Sequence, residues 1–282
     1  MKIVVLVDNT SDPHNKNLCT EHGLSIYFEF DNCKWLFDTG ASGYFYSNAQ
    51  KLDINIPDVD YLILSHGHAD HTGGLSTFID VNKKAKIFLS DNIKDKKFIS
   101  YSKGTKRSIS TDYSVIENNI QRFIFIDSIT PITQNTKLIC NISHNYLLPK
   151  ANNKLFAADY IGECVDKFKH EIILTVNTSK GLIVFSGCSH NGILNILSAC
   201  SANYQNIPLY MCIGGMHLPD STTKDQYESD TEIEVLANTL KNKFPDMTLL
   251  TGHCTGIHPN NILKNTLGDN FDSFYTGFEI EF

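Results

Sequence analysis

The sequence lacks any apolar run that approaches the ~18 residues of a membrane-spanning helix. The apolar N-terminal run from Ile3 to Val7 is also too short for a secretory signal peptide. We therefore expect a cytoplasmic protein with no membrane partner, whose cysteines stay reduced.

Cysteine pairs of the C-x-x-C type are absent, although the chain of 282 residues contains eight cysteines. This absence argues against a zinc ribbon and against a thioredoxin-like redox motif. A hydrophobic content of 41% with 20% charged residues is ordinary for a globular protein. The composition therefore excludes disordered, collagen-like and coiled-coil classes.

An excess of basic residues is also lacking, because 24 lysines and arginines face 31 acidic residues, for a net charge of −7. Such a balance is a poor match for a nucleic-acid-binding protein. One segment departs from it: positions 81–110 contain nine basic residues and two acidic ones. The simpler interpretation is a solvated surface segment, and the alternative is an electropositive rim that attracts an anionic small-molecule substrate. The nine are Lys83, Lys84, Lys86, Lys94, Lys96, Lys97, Lys103, Lys106 and Arg107.

Apolar patterning predicts strands in both halves of the chain. Ser25–Phe30 and Lys34–Phe37 flank the turn Asp31-Asn32 and predict an antiparallel hairpin. A last strand is predicted over 275–282. Strands in both halves, followed by helix and strand units, indicate an α/β protein with mixed sheets.

The clearest helix is predicted over 229–244. A Ser229-x-x-Glu232 capping box opens it, and an apolar stripe with helical spacing follows. The pattern is weakest between 91 and 150. We therefore expect one domain over 1–282 with an insertion or subdomain around 91–150.

The densest chemical signal is the segment Ser65-His66-Gly67-His68-Ala69-Asp70-His71, which follows a short apolar strand. Alternate side chains of an extended segment point the same way, so His66 and His68 can reach one metal ion together. Asp70 and His71 fall where the chain turns into a helix, and they can address a second ion. Imidazole with carboxylate suits Zn²⁺, Mn²⁺ or Fe. The spacing predicts a centre for one or two divalent metal ions, with zinc favoured.

This segment resembles the signature of the metallo-β-lactamase superfamily, and the resemblance extends from Asp38 to His253. Phe37-Asp38-Thr39-Gly40 matches the family's early aspartate, which supports the metal ligands without being one of them. Thr251-Gly252-His253 matches its last metal ligand. The resemblance implies the αββα sandwich of that family, in the α/β (α+β) class.

The middle of the chain departs from the family pattern. Gly187-Cys188 follows a strand at the place where many members have Gly-Asp. This departure argues against the carboxylate that bridges two metals in those members, and so against a standard two-metal centre. His190 is the predicted middle ligand. Cys188 as a thiolate and His170 are the alternatives, and a buried free thiol is the simpler interpretation of Cys188.

A narrower resemblance joins three segments, 187–193, 213–218 and 252–256. They look like the branch that contains the dihydropterin ribofuranosyl-aminobenzene phosphate synthases, many members of which are labelled only as metal-dependent hydrolases. The second segment contains His217 beside two glycines. His217 is predicted to be a substrate-facing acid or base or a further ligand, and a structural histidine is the alternative.

These resemblances imply a metal-dependent hydrolase that acts on a small, phosphorylated or similar substrate through metal-bound hydroxide, because a metal lowers the pKa of water to about 7. The alternatives are a synthase of the dihydropterin type and a metal-binding sensor without turnover. Neither substrate-binding residues nor an oligomeric state is indicated. The expected metal ligands are His66, His68, Asp70, His71, His190 and His253, and the expected catalytic residues are Asp70, Asp38 and His217.

Overall fold

The computed structural model describes residues 1–102 and 104–282, so Lys103 of the basic segment lies outside the described residues. The strands are β1 (Lys2–Val7), β2 (Ser25–Phe30), β3 (Cys33–Phe37), β4 (Tyr61–Ile63), β5 (Lys86–Ser90), β6 (Lys97–Ser102), β7 (Thr105–Ser108), β8 (Phe123–Ile126), β9 (Thr130–Pro131), β10 (Thr136–Ile139), β11 (Leu155–Ala158), β12 (Glu163–Val165), β13 (Ile173–Thr178), β14 (Gly181–Phe185), β15 (Leu209–Ile213), β16 (Thr248–Thr251), β17 (Phe271–Ser273) and β18 (Glu279–Glu281).

The α-helices are α1 (Tyr44–Lys51), α2 (Ala69–Thr72), α3 (Leu75–Val81), α4 (Tyr113–Glu117), α5 (Ile193–Ala202), α6 (Asp230–Lys243) and α7 (Ile257–Leu267). Short 3₁₀ helices cover Ile56–Asp58, Asp91–Ile93, Ile120–Arg122, Lys150–Lys154 and Gly268–Asn270. No helix in residues 1–102 and 104–282 has the length and apolar character needed to cross a membrane.

The chain forms two compact units. The first unit comprises Met1–Lys94, Ile109–Asp127 and Phe274–Phe282, and the second comprises Asp95–Ser108 and Ser128–Ser273. The expectation of one domain with an insertion around 91–150 stays a prediction.

The first unit contains a mixed sheet in the order β18-β1-β2-β3-β4-β5-β8. Its antiparallel part includes the predicted hairpin β2–β3, whose turn residues Asp31 and Asn32 both have positive φ, at 51° and 56°. Two such residues are typical of the tight turns that match strand twist. From β3 onwards the pairing is parallel through β4, β5 and β8. The polar residues that follow β3 and β4 therefore meet at one sheet edge.

The second unit contains a mixed sheet in the order β17-β16-β15-β14-β13-β10-β9 and a smaller sheet in the order β12-β11-β6-β7. Strands β13 and β14 form an antiparallel hairpin, and β14, β15 and β16 pair in parallel. An apolar cluster joins this sheet to α5 and α6 through side chains such as Ile196, Leu197 and Ile233. This packing holds β14, β15 and β16 in place, and the carboxyl ends of these strands carry the candidate residues of this unit.

Helix α6 begins as its sequence predicts. The Ser229 hydroxyl accepts from the Glu232 backbone N–H, and the Glu232 carboxylate accepts from the Ser229 backbone N–H, so the capping box is complete. Helix α7 was not expected. Its first backbone N–H groups donate to Asp220, at 3.1 Å from Ile257 and 2.8 Å from His258. This cap comes from a residue 37 positions away, which no local pattern reveals.

The expected strand over 275–282 is wrong for most of its length, because only Glu279–Glu281 pairs with β1. Before it, the Phe278 backbone N–H donates to the Tyr275 carbonyl and closes a turn. Thr276 is tied to Asp8 through the hydrogen bonds of its hydroxyl. Gly277 has a φ of 92°, which β-strands do not adopt.

Candidate metal centre

In the first unit, the parallel pairing of β3 with β4 brings Asp38 and Ser65 together. Both are fully buried. Asp38 accepts a hydrogen bond from the Ser65 backbone N–H at 2.7 Å and another from the Ser65 hydroxyl at 2.6 Å. The segment from Ser65 to His71 is therefore anchored at its start to the strand beside it.

Asp38 also controls the histidines of this segment. The Nδ1 of His71 lies 2.7 Å from Asp38 Oδ2, and a carboxylate there accepts the Nδ1 proton. The Ser65 hydroxyl, whose proton goes to Asp38, lies 2.8 Å from Nδ1 of His66 and accepts from it. Both rings therefore keep the tautomer with a lone pair on Nε2, the form that binds a metal.

The expected first-unit ligands lie close together. Nε2 of His66 is 3.1 Å from Nδ1 of His68, as the alternation of the segment predicts. The rings of His66 and His71 have centroids 4.2 Å apart. Nε2 of His71 is 3.7 Å from Asp70 Oδ2, and the more exposed His22 approaches the same oxygen at 3.4 Å. The first unit thus contributes three imidazoles and one carboxylate that fit a divalent cation.

In the second unit, the carboxyl ends of the parallel strands β14, β15 and β16 carry the predicted residues. Cys188 and His190 follow β14, His217 follows β15, and the buried His253 follows β16. The Cys188 sulfur and one ring nitrogen from each of His190 and His217 all lie within 4.8 Å of one another. The rings of His190 and His217 have centroids 4.3 Å apart. This Cys188–His190–His217 cluster offers a second set of metal-type donors.

His217 provides the test of whether a metal fits here. Both of its ring nitrogens are buried, and neither has a hydrogen-bond partner among the described residues. A buried polar atom without a partner costs about 1–3 kcal/mol. A thiol and an imidazole beside it are donors that zinc accepts. The residues present therefore fit a bound metal ion or a polar group of a substrate.

His190 is held from two sides. Asn152 accepts from Nδ1 of His190 at 3.0 Å and donates to the His190 carbonyl at 2.8 Å, which sets the Nδ1–H tautomer. The buried carboxylate of Glu171 accepts from the backbone N–H groups of His190 and Asn191 at 2.7 and 2.9 Å. Burial raises the pKa of Glu171 more than these hydrogen bonds lower it. Local sequence patterns do not reveal Asn152 and Glu171, because only tertiary contact links them to His190.

His170, the alternative middle ligand, has a carboxylate partner in the second unit. Its Nε2 lies 2.9 Å from Asp166 Oδ2, and both side chains are buried. Its ring lies against Phe98, with centroids 4.2 Å apart. His190 and Cys188 therefore lie in a cluster with His217. His170 contacts Asp166 and Phe98.

Strained backbone accumulates at the candidate residues. Positive φ angles occur at Asp38 (61°), Ser189 (56°), His217 (51°) and His253 (53°). Non-glycine residues in this region cost of order 1–3 kcal/mol each and persist where surrounding contacts impose them. Gly214 shows such contacts, because a Cβ there would meet the Ser186 carbonyl oxygen at 1.9 Å. The backbone at these strand ends therefore holds the candidate side chains in fixed positions, at some cost in folding free energy.

Cys254 adds a polarised thiol to the second unit. Burial opposes its ionisation, but a hydrogen bond with Cys188 and the nearby imidazoles of His253 and His217 bring its pKa well below the ordinary value. The His217 backbone N–H donates to this sulfur at 3.2 Å. Cys254 thereby fixes the backbone that carries His217.

Comparison with known proteins identifies the family. The family model described as the metallo-beta-lactamase superfamily matches residues 21–91. The crystal structure of Tm1679, a metal-dependent hydrolase of the beta-lactamase superfamily, is 31% identical, with a TM-score of 0.82 over 100% of this chain and 99% of that one. The chain belongs to the metallo-β-lactamase superfamily. The expected α/β fold class and the resemblance to this family are confirmed.

Two other proteins are similar to this chain over its whole length. The 7,8-dihydropterin-6-methyl-4-(beta-D-ribofuranosyl)-aminobenzene-5'-phosphate synthase of Methanocaldococcus jannaschii is 28% identical over 100% of this chain and 97% of its own length. The crystal structure of the short form of human tRNase Z shares 12% identity and a TM-score of 0.55 over 100% of this chain and 99% of that one. The second likeness shows the metallo-β-lactamase fold alone.

Proposed function

We propose that this protein is a metal-dependent hydrolase that acts on a small substrate. The observation that carries the proposal is the convergence of His66 Nε2 and His68 Nδ1, 3.1 Å apart, on a segment anchored by Asp38. Membership of a superfamily of metal-dependent enzymes supports it. A divalent ion, when bound, supplies a Lewis acid and lowers the pKa of a coordinated water to about 7.

The proposed ligand set rests on sequence order within the family and on the ring tautomers, and it holds one or two ions, with zinc favoured. Asp38 keeps Nε2 of His71 available, and Asn152 does the same for His190. The proposed ligands are His66, His68, Asp70, His71, His190 and His253.

The remaining polar residues have proposed roles of their own. Asp70, partly exposed beside His71, orients the nucleophilic water by accepting a hydrogen bond from it. His217 carries two buried ring nitrogens without partners among the described residues, which supports a proposed role in holding or moving a proton on the substrate. Asp38 acts through His71 and the backbone, and is a positioning residue.

The basic segment gives limited support for a phosphorylated substrate. Three of its described residues are already paired with carboxylates: Lys84 with Asp60 at 2.7 Å, Lys94 with Asp91, and Lys106 with Glu163 at 2.7 Å. Such exposed pairs reduce the local positive potential. We therefore propose an anionic substrate on the family resemblance more than on this segment.

The test uses the purified protein with its own metal content. Elemental analysis and a screen of phosphoesters and lactones should show bound metal and turnover. His68→Ala should lower both by more than the roughly 10–100-fold that loss of an outer partner costs. His14→Ala, a change at an exposed histidine outside the site, is the matched control. Full metal content and turnover in His68→Ala would contradict the proposal.

A second candidate function is a synthase, favoured by the relative of that name whose alignment covers the whole chain. The two functions differ in substrate number. A synthase forms its product only when a pterin and an aminobenzene ribose phosphate are both present, whereas a hydrolase turns over one substrate and water. Metal binding without turnover in either assay would instead support a sensor.

A further inference from the structure

A buried phenylalanine of the second unit lies against the ring of His190. The rings of Phe168 and His190 are nearly parallel, with an angle of 8° between their planes and 4.2 Å between their centroids. Phe168 is 2% exposed, whereas its chain neighbours Lys167 and Lys169 are both exposed. One face of the His190 imidazole is therefore covered by the π electrons of a phenyl ring. None of the roles proposed above involves Phe168.

The backbone of Phe168 has a conformation that a bulky residue rarely adopts. Its φ is 49°, in the left-handed region where a non-glycine residue costs free energy. Its N–H donates to Asp166 Oδ1 at 2.8 Å, and its carbonyl accepts from the Glu171 N–H at 3.1 Å and from Asn191 Nδ2 at 3.2 Å. Asn191 follows His190 in the chain. These hydrogen bonds hold Phe168 in a strained conformation that keeps its ring on His190.

The stack favours one state of the imidazole. The face of a phenyl ring is electron-rich, so it attracts a positively charged group that lies over it, and more strongly where water is excluded. An imidazole that ligates a divalent ion through Nε2 gives up electron density and becomes such a group. Asn152 meanwhile accepts from Nδ1 at 3.0 Å, which leaves Nε2 as the ligand atom. Phe168 therefore stabilises His190 in its metal-bound form more than in its metal-free form.

We propose that Phe168 is a positioning residue that raises metal affinity through the face of the His190 ring. This inference rests on the proposed function, because it needs His190 to be a metal ligand. It adds a requirement that the ligand set alone does not make. The side chain at position 168 has to be aromatic and electron-rich, and an apolar side chain of similar size is not enough.

Phe168→Leu tests the contact, because leucine stays apolar but has no ring. The Zn²⁺ affinity and stoichiometry of the full chain are measured by competition with a chromophoric chelator. The variant should bind at least one Zn²⁺ about 10-fold more weakly, as the loss of an outer partner of a ligand does. Phe271→Leu, the same change at a buried phenylalanine of β17, is the matched control and should leave the affinity unchanged. Wild-type affinity in a folded Phe168→Leu protein overturns the proposal.

Pentafluorophenylalanine in place of Phe168 separates the charge of the ring from its shape. It keeps the ring nearly the same shape and reverses the sign of the charge on its face. The Zn²⁺ affinity should therefore fall at least as far as in Phe168→Leu, with a urea unfolding midpoint close to that of the wild type. Unchanged affinity would mean that the ring acts only by filling space, and it overturns the proposal even if Phe168→Leu does not fold.

The ring protons of His190 give a readout that needs no bound ion. Protons over the face of a phenyl ring are shifted upfield in NMR spectra. In the metal-free full chain, Phe168→Leu should therefore move the His190 ring signals downfield, and Phe271→Leu should not. Unmoved signals in Phe168→Leu overturn the stack itself.

The failure of this inference and the failure of the proposed function give different results. A wild-type protein that binds no Zn²⁺ overturns both of them. Tight Zn²⁺ binding that survives both changes at position 168 overturns this inference alone.

Discussion

The two units carry their candidate metal-binding residues at the same kind of position in the sheet, but different side chains hold those residues in place. Each unit places the residues directly after parallel strands, with positive φ angles at Asp38 in the first and at His217 and His253 in the second. In the first unit one buried carboxylate, Asp38, organises the histidine segment. In the second unit a neutral amide, Asn152, holds the ring of His190.

The first unit follows the family pattern, and the second unit departs from it. The first-unit segment has the full signature, and Asp38 and Ser65 anchor it by hydrogen bonds. The second unit has Cys188 where many members have aspartate, and its His217 has two ring nitrogens without partners among the described residues. We infer that metal retention depends on the first unit, and that metal preference and substrate chemistry depend on the second.

The prediction with the largest expected effect concerns Cys188. If its thiolate is a ligand, cobalt-substituted protein should show a sulfur-to-metal charge-transfer absorption in the near ultraviolet, and Cys188→Ala should abolish it. Cys200→Ala is the control, because Cys200 is a core thiol whose pKa is raised by burial. Persistence of the absorption in Cys188→Ala, with loss in Cys254→Ala, would assign the ligand to Cys254.

Asp38→Ala should have the next largest effect. The change leaves the Ser65 backbone N–H, the Ser65 hydroxyl and His71 Nδ1 without their acceptor in a fully buried place. We expect a loss of about 3–5 kcal/mol in unfolding free energy and a 10–100-fold loss in metal affinity, measured by urea unfolding and chelator competition. Asp80→Ala, a change at an exposed residue of the same unit, should leave both the unfolding free energy and the metal affinity unchanged. Undiminished metal affinity would remove the distinction between the units.

Sequence patterns predicted much of the first unit, because the residues that define its hairpin and its histidine segment are neighbours in the sequence. The hairpin β2–β3 has its turn between its strands, and the segment Ser65 to His71 brings its donors within seven consecutive positions. The link from this segment to Asp38 came from the family resemblance. The geometry of parallel strands then explains it, since β3 and β4 end side by side.

The second unit was harder to predict because its organising contacts are distant in sequence. Asn152 and Glu171 reach His190 across 38 and 19 positions. Helix α7 depends on the remote cap Asp220, and its own sequence contains a proline and three asparagines with little apolar periodicity. Patterns that span a few residues carry no information on such pairs.

Asn152→Ala should have a smaller effect than Asp38→Ala, because the lost group is neutral. We expect about 1–3 kcal/mol of destabilisation and a loss in metal affinity near the lower end of the 10–100-fold range, measured as for Asp38. Asn152→Asp sharpens the comparison by giving the second unit a carboxylate like that of the first. It should retain the hydrogen bond from Nδ1 of His190 and recover metal affinity relative to alanine. Equal losses from Asn152→Ala and Asp38→Ala would contradict the proposed division between the units.

The smallest expected effect comes from a histidine–aspartate pair outside both candidate sites. His258 Nε2 lies 2.7 Å from Asp230 Oδ1, the same separation as His71 and Asp38, but both side chains are mostly exposed. The hydrogen bond with Asp230 raises the pKa of His258. The pair therefore stabilises the fold fully below the unfolded pKa of about 6.5, and this contribution is lost as the pH rises through the folded pKa. His258→Gln should lower the free energy of unfolding slightly in mildly acidic buffer. It should have no effect at a pH above the folded pKa of His258, as urea unfolding across a pH series would show. A large or pH-independent loss would mean that exposure does not weaken such a pair, and the contrast with the buried pair of the first unit would fail.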